Sequence, residues 1–224
     1  MQKFIAAVWA SLVLASPVCA QQVLKVAINE STRHYQPALT ALYKEVGLVP
    51  EFVVLPTERA LRSVENGDVD ADLGRVVGGT AGYQNVFELG ESLSEVSLIV
   101  VVKKDASVSR LTLAELKGRS VASTRGTKMA EATAAKWGIK LTLVNTPQQM
   151  YQMLVNDRVE VVLITSVMMP DANVAPLVKV LPPLVTTKAV HVLNQKWAEW
   201  APKLDAALKV MKADGRWAKL IALP

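Results

Sequence analysis

The sequence feature that most limits the fold is an internal repeat. Residues 64–75 (Val-Glu-Asn-Gly-Asp-Val-Asp-Ala-Asp-Leu-Gly-Arg) align without a gap on residues 154–165 (Leu-Val-Asn-Asp-Arg-Val-Glu-Val-Val-Leu-Ile-Thr). Each copy reads as a helix end, a tight turn, a strand and a polar residue at the strand's far end. Asn66-Gly67 supplies a turn that tolerates positive φ, and Val69, Ala71 and Leu73 alternate as in a half-buried strand. The match extends outward. Gly47 corresponds to Gly138, Pro56 to Pro147 and Asn66 to Asn156, at offsets of 91, 91 and 90. Shared punctuation with shared periodicity predicts two α/β lobes, each built on a mostly parallel βαβαβ sheet flanked by helices.

Read in order, the first half carries strands at 23–28, 51–55 and 69–73 and helices at 37–46 and 57–65. The second carries strands at 120–123, 140–145 and 159–164 and helices at 128–137 and 147–155. Between them lie a short extended piece at 86–89, a near-continuous apolar strand at 97–102 and a short helix at 111–116. A strand at 189–193 and helices at 195–213 and 216–222 complete the chain. One lobe would then hold residues 21–97 and 190–224, and the other residues 98–189. Crossings near 96–103 and 183–190 would form a hinge able to close on a ligand.

Residues 1–20 read as a secretory signal peptide. Lys3 supplies the positive end, residues 4–15 are apolar but too short to span a bilayer, and Val18-Cys-Ala20 sets a cut before Gln21. A lipid anchor at Cys19 is disfavoured by the bulk of Val18. Removing the signal takes away Lys3 and no acid, so the net charge of +5 becomes +4. The single cysteine leaves with it, so neither a disulfide nor thiol chemistry is expected. The basic residues are scattered and aromatics are few, which argues against nucleic-acid binding.

Several polar residues fall where a cleft would lie. Arg75 sits at a strand's carboxyl end, where ligands bind in open α/β sheets. Its guanidinium could hold a carboxylate, or pair within the fold to Asp70, Asp72 or Glu88. Thr124-Arg-Gly-Thr127 precedes a helix, so free amides and the helix dipole there could attract an anion, with Gly126 allowing close approach and Thr127 donating its hydroxyl or merely capping. Arg125 is a weaker member of that loop. Tyr35 and Glu30 follow the first strand, as stacking surface and cation partner or as solvated loop. Arg59 lies in a helix's first turn, where a cation opposes the dipole. Thr165 closes the second lobe's equivalent strand. No metal-ligand cluster, cofactor motif or nucleophile elbow is read, and no catalytic residue is assigned.

Leu24-Lys-Val-Ala-Ile28, Asn66-Gly-Asp-Val-Asp70, Leu113-Ala-Glu-Leu-Lys-Gly118, Arg125-Gly-Thr127 and Lys212-Ala-Asp-Gly215 occur in the order found in bacterial extracellular solute-binding proteins of family 3, the periplasmic amino-acid type of ABC-transporter receptor. The chain resembles a divergent member. The resemblance implies a two-lobed type II periplasmic-binding-protein fold and a monomeric periplasmic receptor without cofactor. It would close on a small polar, carboxylate-bearing solute and serve an inner-membrane ABC permease or a sensor kinase. A dehydratase-like enzyme on the same scaffold is the alternative, with Glu30 or Glu131 as the acid. Two positions depart from the family. The arginine of its T-x-x-R segment is Tyr83 here, and the aspartate after the second lobe's strand is Thr165.

Overall fold

The structure, a computed structural model, describes residues 22–169 and 172–222. The signal-peptide reading of residues 1–20 and the cut before Gln21 lie outside the described residues. Among those described, no helix is long and apolar enough to cross a membrane.

The first half runs β1 (Val23–Ile28), a 3-10 turn (Glu30–Tyr35), α1 (Gln36–Glu45), β2 (Val49–Val54), α2 (Thr57–Asn66) and β3 (Ala71–Val76). After β4 (Val86–Lys103) and α3 (Leu113–Leu116) come β5 (Val121–Thr124), α4 (Lys128–Trp137), β6 (Leu141–Val144), α5 (Pro147–Val155) and β7 (Val161–Thr165). The chain ends with β8 (Val178–Val180), β9 (Val185–Asn194), a 3-10 turn (Gln195–Trp200), α6 (Ala201–Ala213) and α7 (Arg216–Ile221). In both halves the first strand is central and parallel to its two partners, giving β2-β1-β3 and β6-β5-β7. The punctuation acts as its chemistry requires. Gly67 and Gly138 end α2 and α4 in the left-handed region, at φ 79° and 66°. Thr146 caps α5 by accepting the Gln149 N–H, with Pro147 at the first helical position. Asp157, which aligns with Gly67, adopts φ 56° and so preserves the turn without a glycine.

The two parallel halves are joined rather than separated. β4 is one 18-residue strand where two short pieces were expected. It pairs antiparallel with β9 from Val86↔Asn194 to Leu98↔Val185. Its far end pairs with β7 and β8, and β9 also pairs with β3. The hydrogen-bonded order is therefore β2-β1-β3-β9-β4-β7-β5-β6, continuous through the two crossings. The hydrophobic cores remain distinct. One side buries Leu24, Leu39, Leu42, Tyr43, Leu204, Leu208, Met211 and Trp217. The other buries Leu98, Val100, Leu116, Val161 and Leu163 on one face of its sheet and Met150, Leu154 and Ile164 on the other. Each fully buried leucine contributes about 1.5–3 kcal/mol, so each side holds itself together while a two-strand ribbon connects them.

β3 differs from expectation in a way that matters for the site. It was read as ending at Leu73, with Arg75 beyond it. Arg75 instead lies within the strand, opposite Val190 of β9. The β3–β9 register shifts by one residue between Asp72 and Arg75. Residues three apart on a regular strand point to opposite faces; the bulge cancels that alternation.

Candidate functional site

The two lobes meet around a cavity of about 100 Å3. Asn29, Thr32, Tyr35, Thr57, Arg75 and Ser94 line it from the first lobe, and Gly126, Thr127, Lys128, Met129, Thr165 and Met168 from the second. A wider groove of about 1180 Å3 lies outside it and shares Asn29, Thr57, Val167 and Met168 as wall. Glu30, Arg59 and Arg125 line that groove. The structure thus brings Arg75, Gly126, Thr127, Tyr35 and Thr165 to the cavity, and Glu30, Arg59 and Arg125 to the groove.

Arg75 is 7 % exposed. Its Nε donates to Asp72 Oδ2 at 2.7 Å, its Nη2 donates to the same oxygen, and Nη2 also donates to the Thr57 carbonyl at 2.6 Å. The Asp72 pairing allowed by the sequence is therefore present, made possible by the bulge. Burial raises the Asp72 pKa, opposed by the Arg75 charge. Nη1 makes no hydrogen bond to a described residue, so one edge of a largely neutralised guanidinium is available at the cavity. The other partners considered for Arg75 are engaged elsewhere. Asp70 accepts from the Lys25 N–H, Trp197 Nε1 and Lys196 Nζ. Glu88 accepts from the Gly78 and Thr80 N–H groups and the Thr80 hydroxyl.

The 124–127 loop departs from expectation. Its amides were read as free for an anion, but the Gly126 N–H donates to Glu131 Oε1 at 2.8 Å, and the Thr127 N–H donates to the Thr124 carbonyl. Glu131 lies in the first turn of α4 and reaches back to the loop, so the protein's own carboxylate takes the position an anion would seek. Thr127 does not cap α4 through its side chain; its hydroxyl lies 2.7 Å from that of Thr124. Tyr35 is buried, with its hydroxyl 3.1 Å from Ser94 Oγ and its ring tilted against Trp217. The ring thus belongs partly to the core.

Across the cleft, Lys128 Nζ lies 2.9 Å from Glu58 Oε2 and 3.4 Å from Glu131 Oε2. The bond to Lys128 is the main cause that holds the Glu58 carboxyl below its ordinary range. Partial burial works against the Lys128 ammonium, but the two carboxylates outweigh it and raise its pKa. Gly126 packs against the start of α2. At φ +85°, a Cβ there would lie 2.9 Å from the Glu58 backbone nitrogen. These contacts join the start of α2 to the start of α4 across the cleft. Sequence reasoning assigned none of Asn29, Thr32, Ser94, Lys128 and Met168 to the site. The Glu58–Lys128 pair spans 70 positions, and no local pattern announces it.

The sequence matches the family model of bacterial extracellular solute-binding proteins, family 3, over residues 38–222. No curated protein matches it. Among solved structures it resembles a histidine kinase sensor domain with similarity to periplasmic binding proteins, at TM-score 0.77 and 15% identity, covering 90% of this chain and 95% of that one. An ancestral arginine-binding protein bound to arginine gives TM-score 0.71 at 19% identity, covering 89% and 96%. The ancestral amino acid-binding protein AncCDT-1, a precursor of cyclohexadienyl dehydratase, gives 0.70 at 21%, covering 88% and 92%. At these identities the likeness carries the fold, which is that of a type II periplasmic binding protein. With a matched span that takes in both lobes and both crossings, the chain belongs to the bacterial extracellular solute-binding proteins of family 3.

Proposed function

We propose that this protein is exported to the periplasm by its cleaved leader, closes its lobes on a small polar solute and presents the closed form to a membrane partner. The observation that carries this reading is the closed cleft itself. A small cavity is walled by hydroxyls from both lobes, and the Glu58–Lys128 pair forms across it. A solute touching both walls binds the closed form better than the open one, and that difference is what moves a hinge. The partner is an ABC permease in the first instance. The likeness to a kinase sensor domain supports a sensing role as the second reading.

The dehydratase-like alternative has less support. Glu30 is hydrogen-bonded to Arg33, which holds its carboxyl below the ordinary range, the opposite of what a general acid at neutral pH needs. Glu131 is tied to Gly126 and Lys128.

A thermal-shift screen of amino acids, organic acids and short peptides tests the capture reading. A solute at one hundred times its Kd adds about 2.7 kcal/mol, which for a chain of this length raises Tm by roughly 5–10 °C. Scattering should show contraction with the same solute. If no small solute stabilises the protein, and mass spectrometry of the protein recovered from the periplasm finds none bound, the reading fails.

A further inference from the structure

The chain's positive charge is not shared evenly. Residues 98–189 carry 12 basic and 6 acidic residues, a net +6, whereas residues 21–97 and 190–224 carry 12 and 14, a net −2. Part of the excess gathers at one end of the second lobe. β5, β6 and β7 are parallel, and the cavity takes Gly126 and Thr165 from the carboxyl ends of β5 and β7. The amino-terminal ends of these strands therefore point away from the cleft. There α4 closes with Lys136 and Trp137, and Lys140 immediately precedes β6. Lys117 reaches the same turn, its Nζ lying 3.9 Å from where a Cβ on Gly138 would be. Lys117, Lys136 and Lys140 are exposed, and none forms an ion pair with a described residue.

Trp137 is 45 % exposed, and the repeat supplies its comparison. Gly138 corresponds to Gly47, so Lys136 and Trp137 correspond to Glu45 and Val46. Val46 packs against the first lobe's core, and Glu45 pairs with Arg216. The same turn thus folds with a tucked valine and a neutralised acid, and needs neither an indole nor free lysines. One cation near a helix's carboxyl end is ordinary; an exposed indole among three of them is not.

An indole settles where water gives way to lipid, with its ring at the level of the headgroups. Lysine ammoniums are hydrated point charges without the planar fork that singles out one carboxylate. That suits a diffuse field of anionic headgroups better than a shaped acidic protein. We propose that this end of the second lobe rests on an anionic phospholipid surface through Trp137, Lys117, Lys136 and Lys140. The contact lies away from the cleft, so it holds the protein at the membrane whether or not a solute is bound.

The test mixes the protein with vesicles of phosphatidylcholine, alone or with about one-third phosphatidylglycerol. At low salt the protein should sediment with the anionic vesicles and not with the neutral ones, and high salt should release it. Each lysine near such a surface is worth about fivefold, so Lys136→Gln with Lys140→Gln should weaken partitioning on the order of 25-fold. Lys203→Gln with Lys209→Gln removes the same charge from exposed positions of α6 and should leave partitioning nearly unchanged. Brominated lipid should quench Trp137 in the wild type, an effect lost in Trp137→Ser, because Trp197, Trp200 and Trp217 pack on the first lobe's core. An unchanged Tm shows that the variants fold. Four results would overturn the assignment: no binding to anionic vesicles at low salt, equal losses in the two lysine pairs, no quenching of Trp137, or binding to polyglutamate as tight as to vesicles, which would point to an acidic protein instead. None of these touches the capture reading, which stands or falls on its own screen.

Discussion

Gly126→Ala should leave both lobes folded and weaken the solute found in the thermal screen on the order of a hundredfold. Two costs operate, in different states. The residue's φ of +85° lies in the left-handed region, where a Cβ costs about 1–2 kcal/mol whether the lobes are open or closed. That term lowers stability and leaves the open–closed balance alone. The second cost belongs to the closed form. The new Cβ would lie 2.9 Å from the Glu58 nitrogen, 3.1 Å from its Cβ and 3.2 Å from its Cα. Two of those atoms are backbone at the start of α2, which cannot move aside as a flexible side chain would. Overpacking of this kind costs about 1–3 kcal/mol, and a penalty on the binding-competent form appears directly as lost affinity.

Gly67→Ala is the matched control. Gly67 has φ +79°, and a Cβ there meets nothing within 4 Å. It should lose similar stability and keep wild-type affinity. Calorimetry gives the affinities and denaturant unfolding the stabilities. Wild-type affinity in Gly126→Ala, or equal weakening in Gly67→Ala, would show that the closed contact at Glu58 does not limit binding.

The parts of the fold that were legible in the sequence are those set by neighbours along the chain. Gly138 marked the end of α4 and Pro147 the start of α5 to the residue, because a left-handed residue stops a helix and a missing N–H is tolerated where one starts. The repeat was readable because turn chemistry recurs at a constant offset, and the two sheets share the order it implies. β4 was read as two pieces because its middle, Glu91 to Glu95, carries charged and hydroxyl residues typical of a loop. Within that stretch only Leu93 is buried, packed into the first lobe's core, so the residues on either side of it can remain polar in a strand. The Asp72–Arg75 pair needed a bulge that pairing with β9 creates, and Val190, the β9 partner of Arg75, lies 115 positions away. The loop amides looked free because the competitor for them, Glu131, is a side chain whose reach no periodicity reveals. Strand-end positions led to the cleft; the electrostatic state of the groups there depended on tertiary contacts.

Acid should weaken the fold through one buried imidazole. His191 sits in β9 with no exposed surface. Its Nδ1 lies 2.8 Å from the Leu73 carbonyl and its Nε2 2.7 Å from the Tyr43 hydroxyl. A carbonyl only accepts, so Nδ1 carries the proton and Nε2 accepts from Tyr43. Burial keeps the Tyr43 phenol protonated, as that role requires. The neutral ring is thus fully satisfied, and a proton added to it would bring charge into a fully buried site. Burial is the main cause that lowers the His191 pKa to about 4. Between that value and the unfolded value of about 6.5 the unfolded chain binds the extra proton and the folded chain does not, so stability falls as pH falls through this window and the loss ends below it. The difference corresponds to about 3 kcal/mol between pH 7 and pH 4. Other groups titrate nearby. Glu58, held low by Lys128, also loses stability toward acid, whereas Asp72, raised by burial, loses it as pH rises. His191→Gln isolates the imidazole, because those carboxylates are present in both proteins. Urea unfolding should give the variant a pH profile shallower by about 3 kcal/mol, whatever its stability at neutral pH. Tyr43→Phe, which retains the imidazole, should retain the steep profile. Parallel profiles for wild type and His191→Gln would mean that a carboxylate, and not this histidine, sets the acid limit of the fold.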